Sequence, residues 1–250
     1  MKQQGNVILI TGGSSGIGAE LAKRFHDLGN RIIITGRREA ALRETAKGRP
    51  NIETVTMDLA NPGDIADFAQ NIRARTPAVN VLINNAGIMA AEDLRGENGL
   101  MVAEDMVAIN LLGPIRLSRA LIPHLLRQPD PTIINVTSAV AFVPLPAAPT
   151  YSATKAALRS WTLSLRKQLG DAIEVIEFAP PGVQTDLMPD QASREDYLPL
   201  GAFMDEVMAL FAQIPTPPEI LVERVRPLSA ASRGDEFEMM LDAMANHKID

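Results

Sequence analysis

The sequence of 250 residues contains no cysteine, only three histidines and few aromatic side chains, which make up 4% of the chain. Without cysteine there is no disulfide, no thiolate nucleophile and no iron–sulfur or thiolate-zinc site. The histidines, His26, His124 and His247, lie too far apart along the chain for a metal-ligand motif. We therefore expect no metal site, and the missing cysteines are consistent with a reducing compartment, which predicts the cytoplasm.

The sequence also has no excess of basic over acidic residues and no long apolar run. The formal net charge is -6, whereas a nucleic-acid-binding surface needs clustered basic side chains. No apolar run approaches the roughly 20 residues that span a bilayer, and the first one, residues 7–10, has the length of a strand rather than of a signal peptide. We expect a protein that binds neither nucleic acid nor membranes and acts on a small molecule.

Short β-branched runs alternate with helical stretches along the chain. Several of the runs are continuously apolar, which is typical of parallel strands covered by helices on both faces. The sequence therefore predicts an α/β fold, a doubly wound parallel sheet of the Rossmann type with six or seven strands, in a single domain over residues 1–250. The predicted strands are residues 7–11, 31–35, 52–57, 81–84, 132–138 and 173–179.

The pattern loosens after residue 185. Residues 186–218 are rich in proline and polar side chains, and we predict that they form the substrate-loop region, with residues 186–199 as a lid. Residues 220–229 have a helical pattern, so we expect six strands or a rearranged C-terminal segment.

A glycine-rich turn, Thr-Gly-Gly-Ser-Ser-Gly-Ile-Gly, follows the first strand at residues 11–18. Glycine lets the backbone approach a pyrophosphate, and the amides at a helix start stabilise its charge. The alternative is a tight turn without a ligand, but glycines combined with hydroxyl side chains in this position favour dinucleotide binding. The candidate cofactor-binding residues here are Gly12, Ser14, Ser15, Gly16, Ile17 and Gly18.

Two arginines, Arg37 and Arg38, follow the second strand. In many dinucleotide-binding folds an acidic residue at this point accepts the ribose hydroxyls of NAD, and none is present. Forked guanidinium groups suit a 2′-phosphate, so NADP is favoured over NAD. The alternative is a solvated basic pair at a helix start, a position that disfavours cations.

Two further strand ends supply weaker candidates. Asp58 could accept a hydrogen bond from an adenine amino group and Leu59 could cover the ring, although an N-cap role for a nearby polar residue is an equal alternative. After the fourth strand the chain reads Asn-Asn-Ala-Gly. There Asn85, Ala86 and Gly87 could approach the cofactor closely, although the motif by itself is also typical of a turn.

Tyr151 and Lys155 lie four residues apart at the start of a long helical stretch, so they share one helix face about 6 Å apart. A cation about 4 Å from a phenol, in an effective dielectric of ~20, favours phenolate by roughly 4 kcal/mol. We therefore expect the pKa of Tyr151 to fall toward neutrality, which would let it exchange a proton with a carbonyl oxygen during hydride transfer. The alternative is a packed tyrosine beside a lysine whose head lies in solvent.

Two other polar residues favour the catalytic interpretation. Ser138 ends the fifth strand at the same predicted edge of the sheet, where its hydroxyl could hold a substrate oxygen. Asn110 interrupts an apolar helical stretch, residues 107–126, and could kink that helix and bind a water.

Together these motifs resemble the short-chain dehydrogenase/reductase family over about residues 7–185. The resemblance implies a tyrosine general acid/base, a lysine that lowers its pKa and binds ribose, a serine that orients the carbonyl, and an asparagine that carries a water-linked proton relay. The residues that match are Thr11, Gly12, Gly16 and Gly18 in the nucleotide motif, residues 84–87, and Asn110, Ser138, Tyr151 and Lys155 in the catalytic set.

The loop after the sixth strand departs from the family pattern Pro-Gly-x-Val-x-Thr, because Pro181 replaces the glycine. This proline should stiffen the turn beside the nicotinamide carboxamide. By resemblance, Pro181, Val183 and Thr185 are candidate cofactor contacts. The Pro-Pro variant and the C-terminal segment resemble a subgroup of bacterial oxidoreductases named after DltE.

Three hypotheses about function follow. The leading one is an NADP(H)-dependent oxidoreductase that interconverts a carbonyl and a secondary alcohol. A catalytically silent dinucleotide-binding sensor or regulatory protein of the same fold predicts a broken catalytic set, and here all four positions are filled. An epimerase or dehydratase usually has a larger C-terminal domain than 250 residues accommodate.

The helix that carries Tyr151 is apolar on two faces. The second face is buried either by the chain's own loops or by another copy, and the family resemblance favours a homodimer or homotetramer. The first stripe is Leu158, Trp161, Leu165 and Leu169, and the second is Ala156, Ala157 and Leu163.

The substrate pocket is expected to be apolar. Arg194 could bind a carboxylate. The apolar residues from the lid are Leu187, Met188, Tyr197, Leu198 and Leu200, and those after the fifth strand are Val140, Phe142, Val143 and Leu145.

Overall fold

Seven parallel strands form one sheet in the computed structural model, which describes residues 1–96 and 99–247. The strand order is β3-β2-β1-β4-β5-β6-β7, so the predicted doubly wound α/β fold is confirmed. The predicted domain, residues 1–250, includes residues 97–98 and 248–250, which lie outside the described ranges. The strands are β1 (Val7–Thr11), β2 (Arg31–Gly36), β3 (Ile52–Thr56), β4 (Val81–Asn84), β5 (Thr132–Val136), β6 (Glu174–Phe178) and β7 (Glu219–Ile220).

Helices cover both faces of this sheet. They are α1 (Gly16–Asp27), α2 (Glu39–Ala46), α3 (Pro62–Arg75), α4 (Leu100–Val107), α5 (Gly113–Leu125), α6 (Pro149–Leu169), α7 (Leu200–Phe211), α8 (Arg226–Ala231) and α9 (Phe237–Ala245). Successive strand residues point to opposite faces, which explains the continuous apolar runs. In β1, Ile8 and Ile10 enter the core with α1 and α7, and Leu9 enters the core with α3 and α5.

A seventh strand is present, although residues 220–229 were expected to be helical. β7 contains two residues and pairs with β6 through Glu177 and Phe178. The helical pattern belongs to the segment that follows, where a short 3-10 turn leads into α8. The sheet thus has the larger of the two predicted strand numbers, and the sequence left the number open because two paired residues are too few to produce a periodic pattern.

The predicted helix over residues 107–126 is interrupted, as expected from Asn110. Residues Ala108–Leu112 form a π-helical turn between α4 and α5, and such turns are frequent at functional sites. Asn110 lies within it and is fully buried.

The strand order reverses between β1 and β4, which are neighbours in the sheet although they are far apart in sequence. Ligands of such sheets bind beyond the carboxyl ends of the strands at this point. No helix within the described ranges is long and apolar enough to cross a membrane. Residues 1–96 and 99–247 also contain no group of three or more His, Asp or Glu side chains arranged for a metal ion.

Candidate active site

A cleft of about 480 Å³ opens at the carboxyl edge of the sheet. Every candidate cofactor residue from the glycine-rich turn, the arginine pair, Asp58–Leu59, residues 85–87 and the loop after β6 lines this cleft. Ser138, Tyr151 and Lys155 line it as well. The structure therefore brings together residues that the sequence separates by up to about 170 positions.

The glycine-rich turn is packed so closely that three of its glycines, Gly12, Gly13 and Gly18, have no room for a side chain. Gly12 has φ of +70°, and a Cβ there would lie 2.7 Å from the Cα of Ala86. A Cβ on Gly18 would lie 2.3 Å from the carbonyl oxygen of Gly12. These glycines keep the backbone of the turn low against the neighbouring loop, which leaves the space above it for a ligand.

Thr11 and Asn85 connect this turn to the loop after β4. The hydroxyl of Thr11 accepts hydrogen bonds from the amides of Asn85 and Ala86, at 3.0 and 3.1 Å. The side-chain amide of Asn85 donates to the carbonyls of Thr11 and Gly12, at 2.9 and 3.2 Å. Asn85 thus shapes the turn through its side chain.

The first turn of α1 is suited to an anion. No side chain caps its N-terminus, no acidic residue lies in its first turn, and amides in that position attract negative charge. Arg38 extends toward the same place and donates to the hydroxyls of Ser14 and Ser15, at 3.3 and 3.2 Å. Arg37 and Arg38 are both exposed at the rim of the cleft.

The end of β3 had two interpretations, adenine contacts by Asp58 and Leu59 or an N-cap role for a nearby polar residue, and the structure assigns the N-cap to a different residue. Asn61 is the N-cap of α3, and its side chain accepts from the amides of Gly63 and Asp64. Asp58 accepts instead from the amide of Ala60 at 3.0 Å and faces the cleft beside Leu59. The N-cap role therefore belongs to Asn61.

Tyr151 lies in the first turn of α6, which is anchored by an acidic residue from another segment. The carboxylate of Glu92 accepts from the amide and the hydroxyl of Thr150, at 2.8 and 2.7 Å. A carboxylate at a helix N-terminus also interacts favourably with the helix dipole. This contact fixes the end of the helix that presents Tyr151 to the cleft.

Lys155 is buried and points toward the end of β5. Its ammonium donates to the carbonyl of Val136 at 2.9 Å, and desolvation lowers its pKa to about 8. The nitrogen lies 5.7 Å from the ring centre of Tyr151. The lysine is therefore packed inside the protein, which excludes the alternative of a lysine with its head in solvent.

The expectation for the acidity of Tyr151 was wrong for the protein chain by itself. Burial raises the pKa of Tyr151 to about 12, although a hydrogen bond from Ser138 acts in the opposite direction. Desolvation outweighs the hydrogen bond from Ser138 because the phenol is almost completely enclosed by protein, and a buried phenolate is poorly solvated. The polypeptide alone therefore keeps this phenol protonated at neutral pH.

Asn110 lies behind the cleft rather than on its surface. Its carboxamide accepts from the amide of Ile88 at 2.9 Å and donates to the carbonyl of Ile88 at 2.8 Å. A Cβ on Gly87 would lie 3.2 Å from the Asn110 oxygen and 3.5 Å from the Lys155 nitrogen. Asn110 thus holds the loop after β4 close to Lys155.

Comparison with known proteins identifies the family. Residues 6–196 match the family model for short chain dehydrogenases. The chain belongs to the short-chain dehydrogenase family. It is 43% identical over 248 residues to the uncharacterized oxidoreductase DltE of Bacillus subtilis (strain 168), covering 98% of both chains.

Solved structures of short-chain dehydrogenases share the fold. A short chain dehydrogenase from Burkholderia cenocepacia J2315, in complex with NADP, superimposes with a TM-score of 0.83 at 24% identity, covering 99% of this chain and 100% of that one. A second, from Shigella flexneri 2a str. 301 and complexed with NADP, has a TM-score of 0.75 at 25% identity, covering 84% and 92%.

Gln191 lines the cleft of this short-chain dehydrogenase, although its position was not predicted from the sequence. Its amide donates to the carbonyl of Val183 at 2.8 Å and to the hydroxyl of Thr185 at 3.0 Å. It ties the segment after residue 186 to the loop after β6. A lone glutamine in a polar stretch carries no signal by which sequence reasoning could have found it.

The segment over residues 186–199 runs along the rim of the cleft. Asp186, Leu187 and Gln191 line it, and a bridge joins Val183 to Leu198. Arg194 donates two hydrogen bonds to Asp196, each at 3.1 Å. The suggestion that Arg194 binds a substrate carboxylate is therefore not supported, because its guanidinium already pairs with an acid.

Apolar side chains surround Tyr151 beside the cleft. We call this group the substrate-side cluster. Its buried members are Met106, Leu145, Ala148 and Tyr151, and half-buried side chains that pack on it include Met89, Val140, Met188 and Met244.

Proposed function

We propose that this short-chain dehydrogenase is an NADP(H)-dependent oxidoreductase that interconverts a carbonyl compound and a secondary alcohol. The observation that carries the proposal is the meeting of Tyr151, Ser138 and Lys155 in one cleft with the glycine-rich turn. A proton donor and a nucleotide-binding turn in the same cleft are what hydride transfer to a carbonyl requires.

The residues of the cleft fit NADP. Close packing at Gly12 and Gly18 leaves room above the turn, and the uncapped start of α1 offers free amides to a pyrophosphate. Arg37 and Arg38 would hold the 2′-phosphate, and Asp58 and Leu59 would lie at the adenine. Solved short-chain dehydrogenases of this fold contain NADP, which supports the same assignment here.

When bound, the nicotinamide supplies or accepts the hydride. Tyr151 donates its proton to the substrate oxygen in reduction, and its raised pKa keeps that proton in place at neutral pH. Ser138 adds a hydroxyl close to the phenol that can hold the carbonyl oxygen. Pro181, Val183 and Thr185 border the place where the reacting ring would lie.

Lys155 and Asn110 assist the phenol. The Lys155 ammonium would bind the ribose of the cofactor and stabilise phenolate when Tyr151 gives up its proton. Asn110 positions the loop that contains Gly87 and Ile88, next to Lys155, where a water-linked proton relay would run. Both roles follow the family pattern that the sequence matches.

The substrate is an uncharged carbonyl compound with an apolar group. The substrate-side cluster is apolar, and the guanidinium of Arg194, in the segment over residues 186–199, pairs with Asp196. Residues 186–218 form the substrate-loop region, in which residues 186–199 cover the bound molecule as a lid.

The protein acts as a homodimer or homotetramer. On α6 the first stripe packs inward, whereas Ala156 and Leu163 of the second stripe are exposed in the described chain. The chain's own loops therefore leave the second stripe uncovered, and we assign its burial to another copy.

The proposal is tested by Tyr151→Phe in an assay that follows reduced nicotinamide with a panel of ketones and alcohols. The variant should lose at least about a hundredfold in kcat, which is the scale of general acid catalysis, while NADPH affinity measured by fluorescence stays within twofold. Ser138→Ala should give a smaller loss. Undiminished turnover in Tyr151→Phe contradicts the mechanism, and a wild-type protein that binds NADPH but reduces nothing in the panel favours the sensor.

A further inference from the structure

The helix α9 packs against the substrate-side cluster, which contains Tyr151. α9 contains no fully buried residue and contacts the main core through one stripe of half-buried side chains, Phe237, Met240, Leu241 and Met244. Of these four, Met244 also packs against the substrate-side cluster that contains Tyr151. The helix is therefore attached to the main core by four side chains, and one of them, Met244, also reaches the substrate-side cluster.

The segment just after α9 is held by a tyrosine from the lid. The hydroxyl of Tyr197 lies 3.2 Å from Nε2 of His247, and the two rings stack with centroids 5.8 Å apart and an angle of 9°. This side-chain hydrogen bond connects the end of α9 to the lid.

Tyr197 is itself fixed beside the catalytic residues. Its ring packs on Gly182, where a Cβ would lie 2.9 Å from two ring carbons, and Gly182 follows Pro181, which lines the cleft. The two phenols are also close enough that ionised Tyr197 raises the pKa of Tyr151. Lid, C-terminal helix and catalytic tyrosine thus meet at one place.

We propose that α9 and His247, held by Tyr197, form a wall of the substrate pocket that limits the size of the apolar group on the substrate, with Met244 and Tyr197 as specificity-determining residues. The inference rests on the proposed carbonyl reduction. It assigns the substrate class as uncharged ketones or aldehydes with an extended apolar group. Methionine suits such a wall because its unbranched side chain adapts to ligands of different shape.

The test compares acetone, methyl butyl ketone and methyl octyl ketone as substrates with NADPH. The quantity measured is the ratio of kcat/KM for methyl octyl ketone to that for acetone. Met244→Trp should lower this ratio roughly tenfold, which is the usual scale of discrimination in apolar pockets. Met244→Ala and Tyr197→Phe should raise it, because the first removes side-chain volume and the second releases His247.

Met240→Ala is the matched control, since Met240 lies on the same helix but packs against the main core without reaching the substrate-side cluster. It should leave the ratio within twofold of wild type, even if it lowers the melting temperature. NADPH affinity should be unchanged in all four variants.

Four results would overturn the inference. If the Met244 variants change kcat/KM for methyl octyl ketone and for acetone by the same factor, Met244 has a structural role only. If Met240→Ala changes the ratio of the two kcat/KM values as much as the Met244 variants do, the stability of the helix is responsible. If the wild-type enzyme reduces the smaller ketones far better than methyl octyl ketone, and Met244→Ala does not raise kcat/KM for methyl octyl ketone, Met244 is not part of a pocket wall. If wild type reduces none of the three ketones and nothing in the wider panel, the proposed function fails first and this inference fails with it.

Discussion

At the scale of single residues, Lys155 is a buried charge that lowers the stability of the fold. Its lowered pKa of about 8 means that the folded protein holds this proton less tightly than the unfolded chain does. Burying the charged ammonium lowers the free energy of unfolding. This destabilisation is present in full below pH 8 and disappears as the pH rises toward the ordinary lysine pKa of 10.5.

We expect Lys155→Met to stabilise the protein at pH 7 by up to about 3 kcal/mol, given that one pKa unit corresponds to ~1.4 kcal/mol. The gain should shrink toward zero between pH 8 and pH 10.5, because the wild-type lysine then loses its charge. Thermal unfolding across this pH range measures the difference. Lys167→Met, on the exposed side of the same helix, should have little effect at any pH, and a Lys155→Met protein that is less stable at pH 7 contradicts the argument.

The arginine pair predicts coenzyme preference. Charge-assisted hydrogen bonds contribute about 1.5–3 kcal/mol each, so Arg37→Ala and Arg38→Ala should each weaken NADPH binding roughly tenfold or more and leave NADH binding nearly unchanged. Isothermal titration with both coenzymes measures this. Arg31 is an exposed arginine at the start of β2, the strand that Arg37 and Arg38 follow, and it pairs with Glu53. Arg31→Ala should change neither affinity. Equal loss for NADPH and NADH would show that the arginines do not contact a 2′-phosphate.

At the scale of elements, the sequence was sufficient for the strand ends and the residues they carry. Gly12, Arg37 and Ser138 each follow an apolar run, and parallel strands bring such positions to one edge. Contacts between elements were not predictable in the same way. Gln191 and Glu92 hold their segments through hydrogen bonds to backbone groups that only the folded chain brings near, and the pKa of Tyr151 depends on how completely neighbouring segments enclose it.

A network of partly buried ion pairs centred on Arg159 joins α6, β6 and β7. Glu177 on β6 is fully buried, accepts from the hydroxyl of Thr137 at 2.7 Å and pairs with Arg159 of α6 at 2.9 Å. Arg159 also pairs with Glu219 of β7 at 3.3 Å. Desolvation raises the pKa of Glu177 despite the hydrogen bond from Thr137 and the charge of Arg159, so the carboxylate depends on this arginine.

The two partners should therefore respond differently to removal. Arg159→Met leaves a buried carboxylate without its cation and should cost about 3 kcal/mol, whereas Glu177→Gln leaves Arg159 with Glu219 and should stay within about 1 kcal/mol of wild type. Urea unfolding of both variants and of the double variant measures the coupling. The loss of stability in Arg159→Met should grow as the pH rises above 4.5. Above that pH the Glu177 carboxyl is ionised in the unfolded chain, whereas its raised pKa in the folded protein makes ionisation there less favourable. Equal losses in the two single variants would contradict this asymmetry.

At the scale of the whole molecule, the alternation of apolar runs and helices predicted the doubly wound sheet, because each run buried on both faces requires helices on each side. The sequence left the presence of β7 open, since this strand is held by pairing with Glu177 and Phe178 and its two residues have no period of their own. The contact between the C-terminal helix and the substrate-side cluster escaped prediction for a related reason. Its contact with the site depends on Met244, which differs from the other apolar residues of α9 only in where the fold places it.

The exposed stripe on α6 predicts how copies of the chain assemble. Leu163 is 38% exposed and lies on the same face as Ala156, and a stable interface buries roughly 1,600 Å² in total, more than one such helix offers by itself. The neighbouring α4 adds Leu100 and Met101, which are 74% and 78% exposed.

We expect Leu163→Arg to convert the assembled protein to monomers, because two copies facing each other across a symmetric interface would bring like charges together. Light scattering after size-exclusion chromatography at micromolar concentration measures the mass. Ile214→Arg is the control, since Ile214 is 97% exposed in the loop before β7, and this variant should keep the wild-type mass. A wild-type protein that is already monomeric, or a Leu163→Arg variant that stays assembled, would show that another surface or none joins the copies.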